Sequence, residues 1–206
     1  GLLTAWGPRG DGPWLVALEL EQAGVARRRG AWVAVGMRAA TAYELHLDGA
    51  RGRVVGPCGA YLERPGFWHG AAGVAACWLG GARAVAAALY DRVKSGRADA
   101  HMSAHLGAVD AALASADALL NAVAGEFDAD RLNRTGRAEL LARRARAAVE
   151  NAVGETLNRT ARALGPSPLC MDPVHSRRVA DLSIYVRQSH AERDLERLGV
   201  IAAGTP

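Results

Sequence analysis

The residues best suited to chemistry in this 206-residue chain lie near its C-terminus, in Ser189-His190-Ala191-Glu192-Arg193-Asp194. His190 is the candidate general base, because a neutral imidazole can accept a proton near neutral pH. If one helix runs through this stretch, Leu182 and Val186 are followed on the same face by Ser189 and His190, and His190 faces inward. Glu192 is the alternative base, about two-thirds of a helical turn further round. A second reading leaves His190 as a hydrogen-bonded packing residue. Ser189, His190 and Asp194 are also the residue types of a nucleophilic triad, but neighbours on a helix point about 100° apart, which is poor geometry for a nucleophile and its base. His101 and His105 are four apart and share a helix face that could ligate a metal. No third ligand accompanies them at a telling spacing, so no metal is expected.

These residues need elements to hold them. Residues 1–65 read as β. Trp14–Leu20 is apolar-rich and follows the Gly/Pro-rich turn of residues 7–13. Residues 42–47 alternate with period two and end at Asp48-Gly49, a strong turn signal. Val54-Val55 stops at Gly56-Pro57. Short strands so spaced suggest part of a barrel or sandwich. The chain opens at Gly1-Leu2-Leu3-Thr4-Ala5 without Met and already in strand-like register, so a partial chain is expected.

After Arg64-Pro65-Gly66 the pattern becomes helical, with helices expected over 68–93, 99–124, 136–164 and 173–198. In the second, Met102, Leu106, Val109, Leu113, Ala116, Leu120 and Val123 step alternately by four and three, the mark of a bundle seam. Asp99 is a plausible N-cap, Gly165-Pro166 stops the third helix, and Asp172-Pro173 starts the fourth. The third helix should bury Val149, Val153, Leu157, Ala161 and Leu164. The fold class is therefore α+β: a partial β-barrel or sandwich segment (1–65) followed by an antiparallel up-down four-helix bundle (66–206).

Composition bounds the function. Half the residues are hydrophobic, the net charge is +4, and no run of about 18 charge-free apolar residues occurs. Membrane insertion is not expected. The densest basic runs, Arg27-Arg28-Arg29 and Arg143-Arg144 with Arg146, lack interleaved aromatics and read as a loop and a solvated helix face rather than a nucleic-acid surface. Cys58, Cys77 and Cys170 are odd in number and far apart, so buried thiols and a cytoplasmic setting are expected.

The order of motifs resembles the acyl-CoA dehydrogenase superfamily. It carries Trp32, then Gly36-Met37-Arg38-Ala39, then Glu44–Gly49, then a Gly-rich lead-in at 66–73, and finally the segment Asp181–Gln188 where the family keeps its catalytic end. The resemblance covers essentially the whole chain and looks like a divergent branch. It implies an FAD enzyme that oxidises acyl-CoA or a similar thioester, with an unassigned electron acceptor, working as a homo-oligomer. It also implies that the family's N-terminal helical domain is absent from this chain. Arg92 and Gly96 match an Arg-x-x-Phe-Gly motif, with Ser95 in place of Phe, so Arg92 is implied as an FAD pyrophosphate contact. The family's Gly-Gly-x-Gly becomes Gly165-Pro166-Ser167-Pro168. Many members carry the base near the position of Gln188-Ser189, where this chain has no carboxylate, which moves attention to the nearby His190 and Glu192. Two other readings stay open: a flavin-dependent monooxygenase or oxidase of the same fold, and a non-catalytic or degenerate assembly subunit.

Overall fold

The computed structural model describes residues 1–7, 12–30, 32–40 and 43–204. The turn expected at 7–13 and the first residue of the strand expected at 42–47 fall partly outside the described residues. The elements in chain order are β1 (Leu2–Trp6), β2 (Pro13–Leu18), β3 (Val25–Arg29), β4 (Tyr43–Leu47) and β5 (Gly52–Val54). Helices follow: α1 (Ala60–Glu63), α2 (Pro65–Lys94), α3 (Ala100–Ala129), α4 (Ala138–Leu164), α5 (Ser167–Met171) and α6 (Pro173–Tyr185). A single 3-10 turn (Val186–Gln188) and α7 (Glu192–Ala203) complete the chain. The residues divide into two compact units, one of 1–33 with 39–67 and one of 34–38 with 68–206.

The first unit holds two small antiparallel sheets, with strand orders β1-β2-β5 and β3-β4. Leu2 stands opposite Ala17 and Trp6 opposite Pro13. On β1 the burial alternates with the pleat, which leaves Leu2 70% and Trp6 74% exposed. The chain turns after β4 as its Asp-Gly signal requires, with Gly49 at φ +64°, and the Asp48 N–H continues the β3–β4 pairing by donating to the Gly24 carbonyl at 2.9 Å. One expectation is corrected here. Arg27 and Arg28 are not in a loop but in β3, paired with Leu45 and Glu44. Their side chains stay in water, so a strand made largely of arginine costs little, and an apolar-pattern search does not see it.

The second unit is a helical bundle of α2, α3, α4 and α6, with a main core and a smaller cluster of Ala72, Val123, Ala142 and Ala145. Trp78, Val85 and Leu89 of α2 meet Val109 and Leu113 of α3, Val149 and Val153 of α4, and Leu182 of α6. The α3 seam is as its sequence implies. Val109, Leu113, Ala116 and Val123 are buried, and Met102, Leu106 and Leu120 pack against the core. Asp99 caps α3 by accepting the Met102 N–H at 2.7 Å, and Asp172 caps α6 by accepting from Val174 and His175. By length and composition alone α2 and α3 could each cross a membrane; both instead contribute a face to this core.

Three helix expectations need correction. α4 begins at Ala138, because Asp130 gathers the Arg134 and Thr135 N–H groups and Asn133 accepts the Ala138 N–H. Its buried stripe is Ala142, Ala145, Val149, Ala152, Val153, Thr156 and Thr160, while Ala161 is exposed. Threonine serves inside a helix because its hydroxyl can bond its own backbone, and Thr156 donates to the Ala152 carbonyl at 2.7 Å. Finally, 173–198 is not one helix: it breaks after Gln188 and restarts at Glu192.

The segment 34–38 docks on α6. Gly36 is buried against it, so close that a Cβ there would sit 2.1 Å from the Ala180 carbonyl oxygen. The next residue, Met37, takes a left-handed φ of +54° and donates its N–H to Asp181. Only glycine permits this approach. Gly36→Ala is therefore expected to lift the segment and cost about 1–3 kcal/mol, the range of core overpacking. Urea unfolding followed by far-UV circular dichroism reads it, and an unchanged midpoint would show the contact to be dispensable.

Candidate functional site

The segment of interest runs from Val186 to Asp194 and lies against α4. The 3-10 turn ends at Ser189, whose backbone is extended, and Ala191 follows with φ +46° and ψ −114°. The break turns two adjacent residues in opposite directions. Ser189 is buried and donates its hydroxyl to Glu150 Oε2 at 2.6 Å. The His190 side chain is 71% exposed.

The inward placement of His190 rested on a continuous helix, and that premise does not hold. His190 is instead tied to Asp194: its backbone N–H donates to Oδ2 at 3.1 Å, and Nδ1 stands 3.8 Å from the same oxygen. Glu192 borders an open groove of about 550 Å³ together with Glu150, Asn151, Asn158 and Arg187. Of the two candidate bases, Glu192 edges this groove and His190 does not.

Around the break sits a charge network that the sequence reading missed. Arg143 and Arg146 were expected on a solvated face; only Arg144 is. Arg143 is 15% exposed and donates to Glu139 Oε1 and to Asp194 Oδ1, each at 2.9 Å, with its guanidinium 5.1 Å from the Trp68 ring centre. Arg146 lies 4.5 Å over the Trp78 ring and donates to the Ala71 and Gln188 carbonyls. Arg187 pairs with Glu150 at 3.0 Å. Burial lowers the Arg146 pKa from its ordinary value, opposed by Asp194. For Asp194, burial pushes upward, but the His190 N–H and Arg143 outweigh it and hold the carboxyl below the usual range. Arg143 and Asp194 are 51 residues apart, so no local pattern announces the pair. One local signal did exist: Ser189-x-x-Glu192 has the form of a helix-start capping box. Ser189 does accept a backbone N–H here, but from Ala191 at 3.3 Å.

The other candidates stand apart. Arg92 is exposed in the last turn of α2, ahead of Gly96 with φ +70°. His101 is exposed and His105 half-buried on α3. Among the described residues no group of three metal-binding side chains gathers. No disulfide joins the described cysteines, but the expected burial of the thiols does not hold: Cys77 and Cys170 are exposed and Cys58 is half-buried.

No protein-family model and no curated protein matches the sequence. Solved structures do match. A variant of the steroid ACAD Tcur3481-Tcur3483 aligns over 98% of this chain with a TM-score of 0.71 and 22% identity. An acyl-CoA dehydrogenase from Slackia heliotrinireducens aligns over 98% with a TM-score of 0.73 and 19% identity. The chain has an acyl-CoA dehydrogenase fold. It spans 55% of the length of each of these structures. The α+β architecture with a helical bundle, expected from the residue pattern, is the architecture observed.

Proposed function

We propose that this chain works within an FAD-dependent oxidoreductase that desaturates an acyl thioester: a base takes the α-proton while the β-hydride passes to the flavin. The observation that carries this reading is the match of nearly the whole chain to two acyl-CoA dehydrogenase structures. Membership of that superfamily, homo-oligomeric assembly and a cytoplasmic setting belong to the same reading. His190, or Glu192 in its place, is its base.

The fit of these residues to FAD is partial. Arg92 offers an exposed, permanently charged fork of the kind that suits a pyrophosphate. The stretch Gly165–Pro168 offers less, because Pro166 and Pro168 carry no N–H to donate. The described residues thus supply FAD with a contact and not with a pocket. Two specific observations keep other readings in play. An imidazole in place of a carboxylate favours a monooxygenase or oxidase, and the two prolines favour a non-catalytic assembly subunit.

Anaerobic flavin spectroscopy on the full natural protein tests the proposal. It should purify with FAD, and an acyl-CoA should bleach the flavin absorbance. A colourless protein, or a flavin that no acyl thioester reduces, would sink it. Residues 1–206 alone should bind FAD weakly or not at all; a submicromolar dissociation constant would contradict this. In the full protein, Arg92→Ala should weaken FAD by about 1.5–3 kcal/mol, the usual worth of a hydrogen bond to a charged group.

A further inference from the structure

Helix α7 is attached to the bundle in an unusual way. None of its residues is buried, and Leu195 and Val200 are each about half exposed. Leu198, Ile201 and Ala202 are only half covered. The other bundle helices are held by apolar burial. α7 is held mainly by charge.

The attachment is a chain of four alternating charges. Arg197 of α7 donates to both oxygens of Glu139 on α4, at 3.1 and 3.3 Å. Glu139 also accepts from Arg143, which reaches back to Asp194 of α7. The charged or titratable groups facing this cluster are Arg146 and Glu150 from α4, His190 and Arg187 from the connector, and Glu196 beside Arg197.

The connector has the form of a hinge. On its bundle side Ser189 is pinned by Glu150, and the Gln188 carbonyl is held by Arg146. On its far side α7 starts without a side-chain cap. Between them Ala191 holds a positive φ of +46°, a strained conformation for a residue with a Cβ. Opening relieves that strain, and closing restores the ion pairs. These opposed terms give the element two positions, and whatever weakens the ion pairs shifts it toward the open one.

We propose that α7 is a charge-latched strap, hinged at Ala191, that leaves α4 as a unit when the Arg143–Asp194 and Glu139–Arg197 pairs are broken and thereby frees His190 from Asp194. Salt screens partly exposed pairs and opens the strap; the Debye length falls to about 3 Å at about 1 M. Acid opens it too. Burial would raise both carboxyls, but Arg197 and Arg143 hold Glu139, and the His190 N–H and Arg143 hold Asp194, below their ordinary values of 4.5 and 3.8. The latch is therefore complete above those values and is lost as pH falls beneath them.

Hydrogen exchange with mass spectrometry on the 206-residue chain tests this. Residues 192–203 should exchange together, at least about tenfold faster than 145–156 of α4. Glu139→Gln, Asp194→Asn or about 1 M NaCl should speed 192–203 by about five- to tenfold more and leave 145–156 unchanged. Leu198→Ala should speed it less than either charge variant. The proposal is overturned if 192–203 is as protected as 145–156, if Leu198→Ala has the larger effect, or if the charge variants speed both segments alike.

Discussion

Trp78→Ala is expected to cost about 3–5 kcal/mol, the range for emptying a large aromatic site. Trp78 is 0% exposed at the centre of α2 and is the largest fully buried side chain. Tyr185 of α6 meets its ring edge-on, with centroids 6.4 Å apart, and Arg146 of α4 covers its face. One deletion therefore removes contacts to two other helices and leaves a half-buried guanidinium without its aromatic partner. Domains of this size hold about 5–15 kcal/mol in total, so the variant should sit near the edge of folding. Trp78→Phe should recover most of the loss. It keeps a ring and removes the indole N–H, which is buried without an acceptor among the described residues. Guanidinium unfolding followed by far-UV circular dichroism reads both variants. A cost below about 1.5 kcal/mol for Trp78→Ala would mean that the core closes over the space.

Under the proposed function, with His190 as the base, His190→Ala should lower turnover of the full protein by about 10²–10⁴-fold while its flavin stays bound, as expected for loss of a general base. The His190–Asp194 pairing motivates the size. A carboxylate beside Nδ1 orients an imidazole, and the 3.8 Å separation needs a shift of under about 1 Å to become a hydrogen bond. Solvent exposure in this chain leaves Nε2 accessible to a substrate. Glu192→Gln is the comparison, because Glu192 borders the neighbouring groove. Stopped-flow flavin reduction separates the two. Full activity in His190→Ala with loss in Glu192→Gln would transfer the role.

The bundle was legible because its information is local. The four-three seam of α3, the caps at Asp99 and Asp172 and the stop at Gly165 are each read from a few neighbouring residues, and each is found in place. The break at 189–191 was not read, because Leu182, Val186, Leu195 and Leu198 suggest one continuing helix across it. What holds the break is remote: Glu150 takes the Ser189 hydroxyl across 39 positions, and Arg143 takes Asp194 across 51. A charged residue's partner is set by the fold and not by its neighbours, so Arg143 and Arg146 read as surface until α4 and the connector are brought together. Thr156 was hidden differently: its polarity argued for solvent, although its hydroxyl is satisfied within its own helix by the Ala152 carbonyl. β3 escaped because its strand character comes from pairing with β4 and not from an apolar pattern.

The outer rail of β1 bears on how this protein is handled. In the strand order β1-β2-β5, β1 has β2 on one side and no second strand beside it among the described residues. Leu2 and Trp6 stand exposed on it at the pleat repeat. Such a rail is a template: its amide and carbonyl groups are spaced to receive any extended peptide, and its apolar side chains reward a like-patterned one. Concentrated solutions of residues 1–206 are thus exposed to edge-to-edge fibre growth through the sheet, a hazard separate from any association through the helices, and a lysine at position 4 would blunt it.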